Sequence, residues 1–364
     1  MCGQQQILTL VQLAQKQEAG NPEEAAKAYL QAADLLLEQS QDHPAKEDEY
    51  ITIANKLYLK AKKLRNKTFA GKLLAPKDNK IGFKDIGGLE ELKEEIRFKI
   101  IEPFRNPELF NYYGQQAGGG ILMYGPPGCG KSLIAKATAN EAQANFIHVK
   151  GSDIKSKYVG ETEKNIAELF QKAREAQPTI IFFDEFEVLG GDRTEAYAHE
   201  RSAVAQLLTE MDGVDTKNQQ ILLLAATNEP WSIDPALRRE GRFGTSIYIP
   251  PPDTEARKAI LQLQLSNRPT EEIDYELLAE ETVGCSGADL KSVCEMAAAI
   301  PLKESFITRN RRNINQEDLE TALGKINSVL KQWFRKAQEQ VARRRLEESF
   351  PELVLGAEQL AITA

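Results

Sequence analysis

Gly125-Pro126-Pro127-Gly128-Cys129-Gly130-Lys131-Ser132 gathers the residue types that handle phosphate. Glycines let backbone N–H groups curl around phosphate oxygens, a lysine adds a cation, and a serine hydroxyl can join the shell of a divalent metal. The stretch follows an apolar run, Ile121-Leu122-Met123-Tyr124, and opens a helical one at Leu133. Strand, glycine loop and helix in that order are the setting of a nucleoside-triphosphate loop. Lys131 then reaches the β- and γ-phosphates and Ser132 ligates Mg²⁺. A Gly/Pro turn without ligand is the alternative; strand, spacing and the Lys-Ser pair together argue against it.

About fifty residues downstream, Ile180-Ile181-Phe182-Phe183 ends in Asp184-Glu185. Two acids at the end of a buried strand suit hydrolysis: Asp184 can hold the Mg²⁺ shell, and Glu185 can polarise a water for in-line attack on the γ-phosphate. The run 221–227 finishes at Asn228, a polar side chain that could contact the γ-phosphate or the attacking water, or simply cap a strand. Eleven residues on, Arg239 and Arg242 have no phosphate of their own nearby in sequence. They are either surface charges or fingers reaching a neighbour's nucleotide.

The elements that must position these groups follow from the hydrophobic pattern. Short apolar runs at 121–124, 146–149, 180–184, 221–227 and 247–249 alternate with helical segments, which predicts buried parallel strands with helices on both faces. Beyond Pro250-Pro251-Pro252 the strand signals stop, and 253–340 reads as a smaller helical domain. At the other end, residues 1–66 predict three amphipathic helices. Their stripes are Ile7, Leu10, Val11, Ala14; then Ala26, Tyr29, Leu30, Ala33, Leu37; then Tyr50, Ala54, Leu57, Ala61, Leu64. Asn21-Pro22 marks the start of the second and His43-Pro44 a break before the third. Residues 67–82 are the expected linker, 83–252 the α/β domain and 341–364 a helix end and tail.

Composition narrows the classes. A chain of 364 residues with 41% hydrophobic content can build two or three packed domains. No apolar run approaches the ~20 residues of a membrane span, and the N-terminus shows no secretory pattern. Cys2, Cys129, Cys285 and Cys294 have neither metal-ligand nor disulfide spacing, which suits a reducing cytoplasm. A net charge of −8 argues against a generally cationic nucleic-acid binder.

Taken together, the phosphate loop, Asp184-Glu185, Glu210-Met211-Asp212-Gly213, Ala226-Thr227-Asn228, Asp234-Pro235-Ala236-Leu237-Arg238 and Gly241-Arg242-Phe243 resemble the classical AAA ATPases. That group contains valosin-containing protein, katanin and the vacuolar-sorting ATPases. The likeness covers roughly residues 80–335, with Asp85-Ile86-Gly87-Gly88 and Gly284-Cys285-Ser286-Gly287-Ala288-Asp289-Leu290. It implies a five-stranded parallel sheet with a helical lid, preceded here by a three-helix bundle, and a homo-oligomeric ring, usually a hexamer, with ATP and Mg²⁺ between subunits. Asn228 is then the sensor asparagine, and Arg239 and Arg242 act on the next subunit. Gly125 to Leu133 surround the phosphates, Ile86, Gly87 and Gln264 lie near the adenine, and Gly287-Ala288 close the pocket. Lys157-Tyr158-Val159 occupies the first pore loop, where an aromatic grips a threaded protein substrate, and 190–200, with Tyr197 and His199, the second.

Two departures stand out. Phe186-Glu187 replaces a small aliphatic residue and aspartate, implying altered packing behind an intact catalytic pair. Glu229-Pro230-Trp231 replaces the commoner basic residue after the asparagine. The N-terminal bundle resembles a microtubule-interacting-and-trafficking (MIT) domain, which binds helical peptides in grooves; a tetratricopeptide-like hairpin and a plain structural bundle are the alternatives. A final helix over about 325–347 carries Ile326, Leu330, Trp333, Ala337 and Val341 on one face, expected against the small domain or a neighbouring subunit. Against a protein-remodelling motor stand two other readings: a nucleic-acid-associated ATPase and a nucleotide-gated scaffold that does not cycle.

Overall fold

The computed structural model describes residues 2–18, 20–42, 47–73, 81–114, 119–155, 161–191, 198–214 and 220–355. It divides into two compact units, Met1–Asp78 and Asn79–Ala364.

The first unit holds three helices, α1 (Cys2–Gln17), α2 (Pro22–Asp42) and α3 (Glu47–Leu73). Asn21 Oδ1 accepts the Glu24 N–H at 3.3 Å, so α2 starts where a side-chain cap and an N1 proline coincide. Alanines let the helices approach: Ala14, Ala25, Ala26, Ala32 and Ala61 are fully buried, with Tyr29 among them. The Tyr29 hydroxyl donates to Glu18 and accepts from Lys60 Nζ at 2.8 Å, so the buried ring keeps its polar end paired. On α2 the buried stripe is Ala26, Tyr29, Ala33, Leu36 and Ser40; Leu37, expected inside, is 44% exposed. A helix advances about 100° per residue, and the 26-29-33-36-40 row leaves Leu37 one step past the seam. The His43-Pro44 break lies outside the described residues. Helix α3 continues to Leu73, into the stretch expected as linker. Residues 59–67 are almost all Leu, Lys, Ala and Arg, strong helix formers that carry a helix without an apolar stripe.

The second unit is built on a parallel sheet of β1 (Gly119–Tyr124), β2 (Asn145–Lys150), β3 (Thr179–Asp184), β4 (Ile221–Thr227) and β5 (Thr245–Tyr248), in the order β2-β3-β4-β1-β5. Each strand contains or overlaps the apolar run that predicted it. Strands β3 and β4 lie inside the sheet, and every β4 residue is buried. Alternate residues divide between the faces. Ile180, Phe182, Leu222 and Leu224 share a core with α4 (Lys131–Glu141), and Phe183 on the other face meets Phe170 of α5 (Glu161–Glu175) at 6.4 Å between rings. Helix α6 (Ala198–Val214) buries Val204, Leu207 and Met211.

Past Pro252 the chain is helical: α7 (Thr254–Leu265), α8 (Tyr275–Glu281), α9 (Gly287–Thr308) and α10 (Gln316–Leu323). Asp253, Asp274, Ser286 and Asn315 cap them in turn, each accepting a backbone N–H of the first turn. Leu261, Leu278, Leu290, Val293 and Leu319 form their own core.

The last long helix, α11 (Leu330–Arg344), corrects an expectation. Only Ile326, just before it, packs on the lid core; Leu330, Trp333, Phe334, Ala337 and Val341 enter the core of the sheet domain, joined by Phe350 and Leu353. The reason is a pair of aromatic sockets. Trp333 meets Trp231 at 5.9 Å between rings, and Phe350 meets Tyr124 of β1 at 5.0 Å. Among the described residues no helix is long and apolar enough to cross a membrane.

Trp333→Ala removes this socket and one hydrogen bond, and should lower stability by about 3–5 kcal/mol. Lys336→Ala, on the exposed side of the same helix, should cost less than about 1 kcal/mol. Urea titration followed by the fluorescence of Trp231 checks both; equal effects would contradict the packing account.

Candidate functional site

The parallel register brings the chemistry-bearing residues to one edge. Tyr124 pairs with Thr227 in β1/β4, and Phe183 with Ala225 in β3/β4, so Gly125, Asn228 and Asp184-Glu185 leave adjacent strands at their C-terminal ends. Open parallel sheets bind ligands at this edge.

The loop from Gly125 to Gly130 takes backbone conformations that need glycine. Gly128 has φ +75°, and a Cβ there would lie 2.8 Å from both Ala288 Cβ and Ser286 Oγ. This close approach is how the lid reaches the loop: the Ala288 N–H donates to the Gly128 carbonyl at 3.2 Å. Lys131 is buried, its Nζ donating to the carbonyls of Gly125 (2.9 Å) and Pro126 (2.7 Å). Burial pushes this ammonium down to about 8, against the pull of Glu187 and Asp184 nearby. Burial raises the Cys129 thiol to about 12, so the loop cysteine stays protonated at neutral pH.

Ser132 Oγ donates to Asp184 Oδ2 at 2.8 Å. Burial pushes the Asp184 carboxyl up, but hydrogen bonds from His148 and Ser132 outweigh it and hold it below its ordinary range. A hydroxyl and an ionised carboxylate side by side are hard oxygen donors. Among the described residues no cluster of three or more His, Cys, Asp or Glu could hold a metal alone. A cation that keeps most of its shell as water and phosphate, as Mg²⁺ does, fits such a pair.

Glu185 follows on the same turn, exposed and at φ +54°. A non-glycine residue there costs about 1–2 kcal/mol. The turn is fixed on both sides, by Glu185 N–H donating to Asp184 Oδ1 (3.1 Å) and Phe186 N–H donating to the Ala226 carbonyl (2.9 Å). The strained conformation turns the glutamate out of the strand line into solvent.

Beside the loop lies a cavity of about 600 Å³. Ile86, Gly87, Cys129, Leu133, Gln264 and Gly287 all line it, so the residues assigned to the adenine and the lid converge on one space. Gly87 is required by contact: a Cβ would stand 2.0 Å from Ala259 Cβ of α7.

The arginines do not converge. The Gly120 N–H donates to the Arg242 carbonyl at 2.9 Å, which fixes Arg242 at the start of β1, while the phosphate loop begins at its end. Five residues of strand separate the two by roughly 16 Å. The Arg242 guanidinium grips Asp212 through Nε and Nη2 (3.1 Å each) and the Ala236 carbonyl through Nη1 (3.0 Å); Arg239 is exposed. Lys157, Tyr158, Val159 and Tyr197 lie outside the described residues, as does the side chain of His199.

Two contributors were not legible as such. The Glu187 carboxyl, raised by burial, accepts from Thr227 Oγ1 at 2.6 Å, and Thr227 in turn accepts the Glu229 N–H at 2.9 Å, bracing the tip of β4. Trp333 Nε1 donates to the Asn228 carbonyl at 3.0 Å, and Lys336 pairs with Glu229 at 2.6 Å. The unusual Glu229-Pro230-Trp231 is thus the socket for α11. The sequence holds two tryptophans, one near an acid and one near a lysine, but their pairing across a hundred residues cannot be read without the fold.

Residues 121–251 match the model of the ATPase family associated with various cellular activities (AAA), and residues 272–321 that of the AAA+ lid domain. The chain is 38% identical over 307 residues to the Cell division cycle protein 48 homolog of Archaeoglobus fulgidus, spanning 83% of this chain and 41% of that protein. It is 46% identical over 239 residues to Protein SAV of Sulfolobus acidocaldarius (65% and 30%). It is 42% identical over 244 residues to the ATPase family gene 2 protein of Schizosaccharomyces pombe (67% and 30%). The chain spans less than half the length of each of these curated relatives.

A lysine at about 8 is cationic below that pH and neutral above it, whereas bound phosphate holds it charged. Triphosphate affinity should therefore be full below pH 8 and fall by up to about tenfold per unit above it. Titrating a fluorescent nucleotide between pH 7 and 9.5 measures this; Lys131→Arg should flatten the slope. A wild-type profile that is already flat would contradict the role given to Lys131.

Proposed function

We propose, from the premise that residues 121–251 are an AAA ATPase domain and 272–321 its lid, that this chain hydrolyses ATP in a homo-oligomeric ring, a hexamer in the simplest closure, and uses the strokes to remodel a protein substrate. One observation carries the ring: the arginines suited to a transition-state phosphate sit at the opposite end of β1 from the loop that holds it. Head-to-tail packing brings such an end to a neighbour's phosphates, and heterologous contacts of that kind close into rings.

Within the site, the residues divide the work. The backbone of 125–130 cradles the phosphates and Lys131 leaves the Gly125 and Pro126 carbonyls for the β- and γ-oxygens. Ser132 and Asp184 would hold Mg²⁺, which neutralises phosphate charge when bound. Glu185, turned outward by its backbone, positions a water and takes its proton; Asn228, braced by Thr227 and Trp333, orients that water or the γ-phosphate. Ile86, Gly87 and Gln264 face the base, with Gly287 and Ala288 closing the pocket. Arg239 and Arg242 complete the site of the next copy; Arg242 must release Asp212 to do so.

Lys157, Tyr158 and Val159 are the candidate grip on an extended client, and the N-terminal bundle, MIT-like in reading, is the candidate client selector through a helical peptide. The acidic balance of −8 favours protein over nucleic acid as the client, and the cytoplasm is the proposed location.

Glu185→Gln should leave ATP binding within about threefold and lower turnover by at least about 100-fold. Such a trapped protein should also retain a client that wild type releases on hydrolysis. Nucleotide titration, phosphate release and affinity capture measure the three; turnover unchanged in the variant would contradict the assignment of Glu185.

A further inference from the structure

His148 stands on β2, outside the phosphate loop and the acidic pair, and its imidazole Nε2 lies 3.3 Å from Asp184 Oδ2. The register explains the reach. His148 pairs with Phe182, two residues before Asp184, so the histidine and the carboxylate are diagonal neighbours on one face of the sheet. The ring is oriented by aromatics: Phe146 stacks on it at 6.2 Å with 25° between planes, and Phe182 lies at 5.4 Å and 34°. An ionised carboxylate only accepts, so Nε2 carries the proton of this contact.

The neighbouring bonds show what that contact controls. Asp184 Oδ2 also accepts the Ser132 hydroxyl at 2.8 Å, and Oδ1 accepts the Glu185 N–H at 3.1 Å. A serine oxygen has one proton and two lone pairs, so donating to Asp184 commits the proton and turns the lone pairs away from that carboxylate. The direction of Asp184 Oδ2 therefore sets the direction of the serine lone pairs. Without His148, Oδ2 keeps only the Ser132 bond and Oδ1 only the Glu185 N–H, so the carboxylate is held less firmly.

We propose that His148 is a positioning residue for the metal site: it pins Asp184 so that the carboxylate and the Ser132 oxygen are aimed at a divalent cation before that cation arrives. The proposal rests on the reading of Ser132 and Asp184 as the Mg²⁺ pair. Donors behind a metal ligand commonly carry a tenfold or larger share of metal affinity. The aromatic stack gives the imidazole little freedom, so its contribution is orientation that needs no rearrangement on binding.

The test uses the full chain with saturating ADP, and Mn²⁺ as a Mg²⁺ surrogate whose free concentration is read from its electron paramagnetic resonance signal. His148→Phe keeps the stack and removes the donor, and should weaken the Mn²⁺ midpoint by about tenfold. ADP affinity measured in EDTA should not change. His148→Gln, which can present an amide N–H near the same place, should recover most of the loss. In an Asp184→Asn background His148→Phe should add nothing, because the carboxylate it orients is gone. A His148→Phe midpoint within twofold of wild type would overturn the proposal, as would equal losses in the Phe and Gln variants. Absence of ADP-dependent Mn²⁺ binding in wild type would overturn it together with the metal-site reading, whereas wild-type binding with an unaffected Phe variant would remove this inference alone.

Discussion

The pairing of β3, β4 and β1 in parallel, with Tyr124 beside Thr227 and Phe183 beside Ala225, is the constraint on which the site depends. Parallel strands leave a sheet at the same edge, so three loops far apart in sequence emerge side by side there. Each of those loops then carries one kind of group: backbone and ammonium from 125–131, carboxylates from 184–185, an amide from Asn228. Every β4 residue is buried, so a slip of one residue would exchange Leu222 and Leu224 with Leu223 and Ala225 between two packed faces, and the volume fit of both faces enforces the register that aligns the polar tips. The same arithmetic places Arg239 and Arg242 at the wrong edge for their own loop. On the proposed reading, each copy offers its phosphate loop at one end of the sheet and its arginines to a neighbour at the other.

Around that edge the structure stores specificity in a few tight contacts. The left-handed backbone at Glu185 is held by bonds to Asp184 and Ala226, so its cost is met by the sheet rather than by the ligand. The start of α9 touches Gly128 through the Ala288 N–H, and Ser328 Oγ donates to Asp289 Oδ2 at 2.9 Å, linking the lid to the segment that leads into α11. Helix α11 in turn holds the Asn228 carbonyl through Trp333. Loop, lid, final helix and the tip of β4 thus form one connected set of contacts.

Much of this was legible in the chain alone, for identifiable reasons. The five strands are short apolar runs bounded by turn residues, and the loop glycines are demanded by positive φ and by close approach, so both announce themselves locally. The placing of Ile86, Gly87, Gln264 and Gly287 around one cavity came from likeness to relatives, since nothing in the spacing of residues 86 and 264 joins them. What could not be read depends on contacts across the sheet. Leu37 looked like core because it is a leucine beside the buried row, but it follows Leu36 by one residue and so lies about 100° round the helix from it. Helix α11 showed its apolar stripe plainly but not its partner, because Trp231 becomes a socket only once β4 ends next to it. His148 showed nothing at all, as a single polar residue in an edge strand is ordinarily a solvated side chain.

The measurement that reaches the central claim most directly is complementation between two inactive variants. On the proposed reading, Arg242→Ala lacks a cation for the neighbour's site, and Lys131→Ala lacks its own phosphate grip. If one site is shared between two copies, each variant alone is inactive, whereas in mixed rings some interfaces pair an intact loop with an intact arginine. ATP turnover should then rise above the sum of the two components and peak at intermediate ratios. Turnover that stays at that sum at every ratio, in preparations that demonstrably co-assemble, would contradict the account.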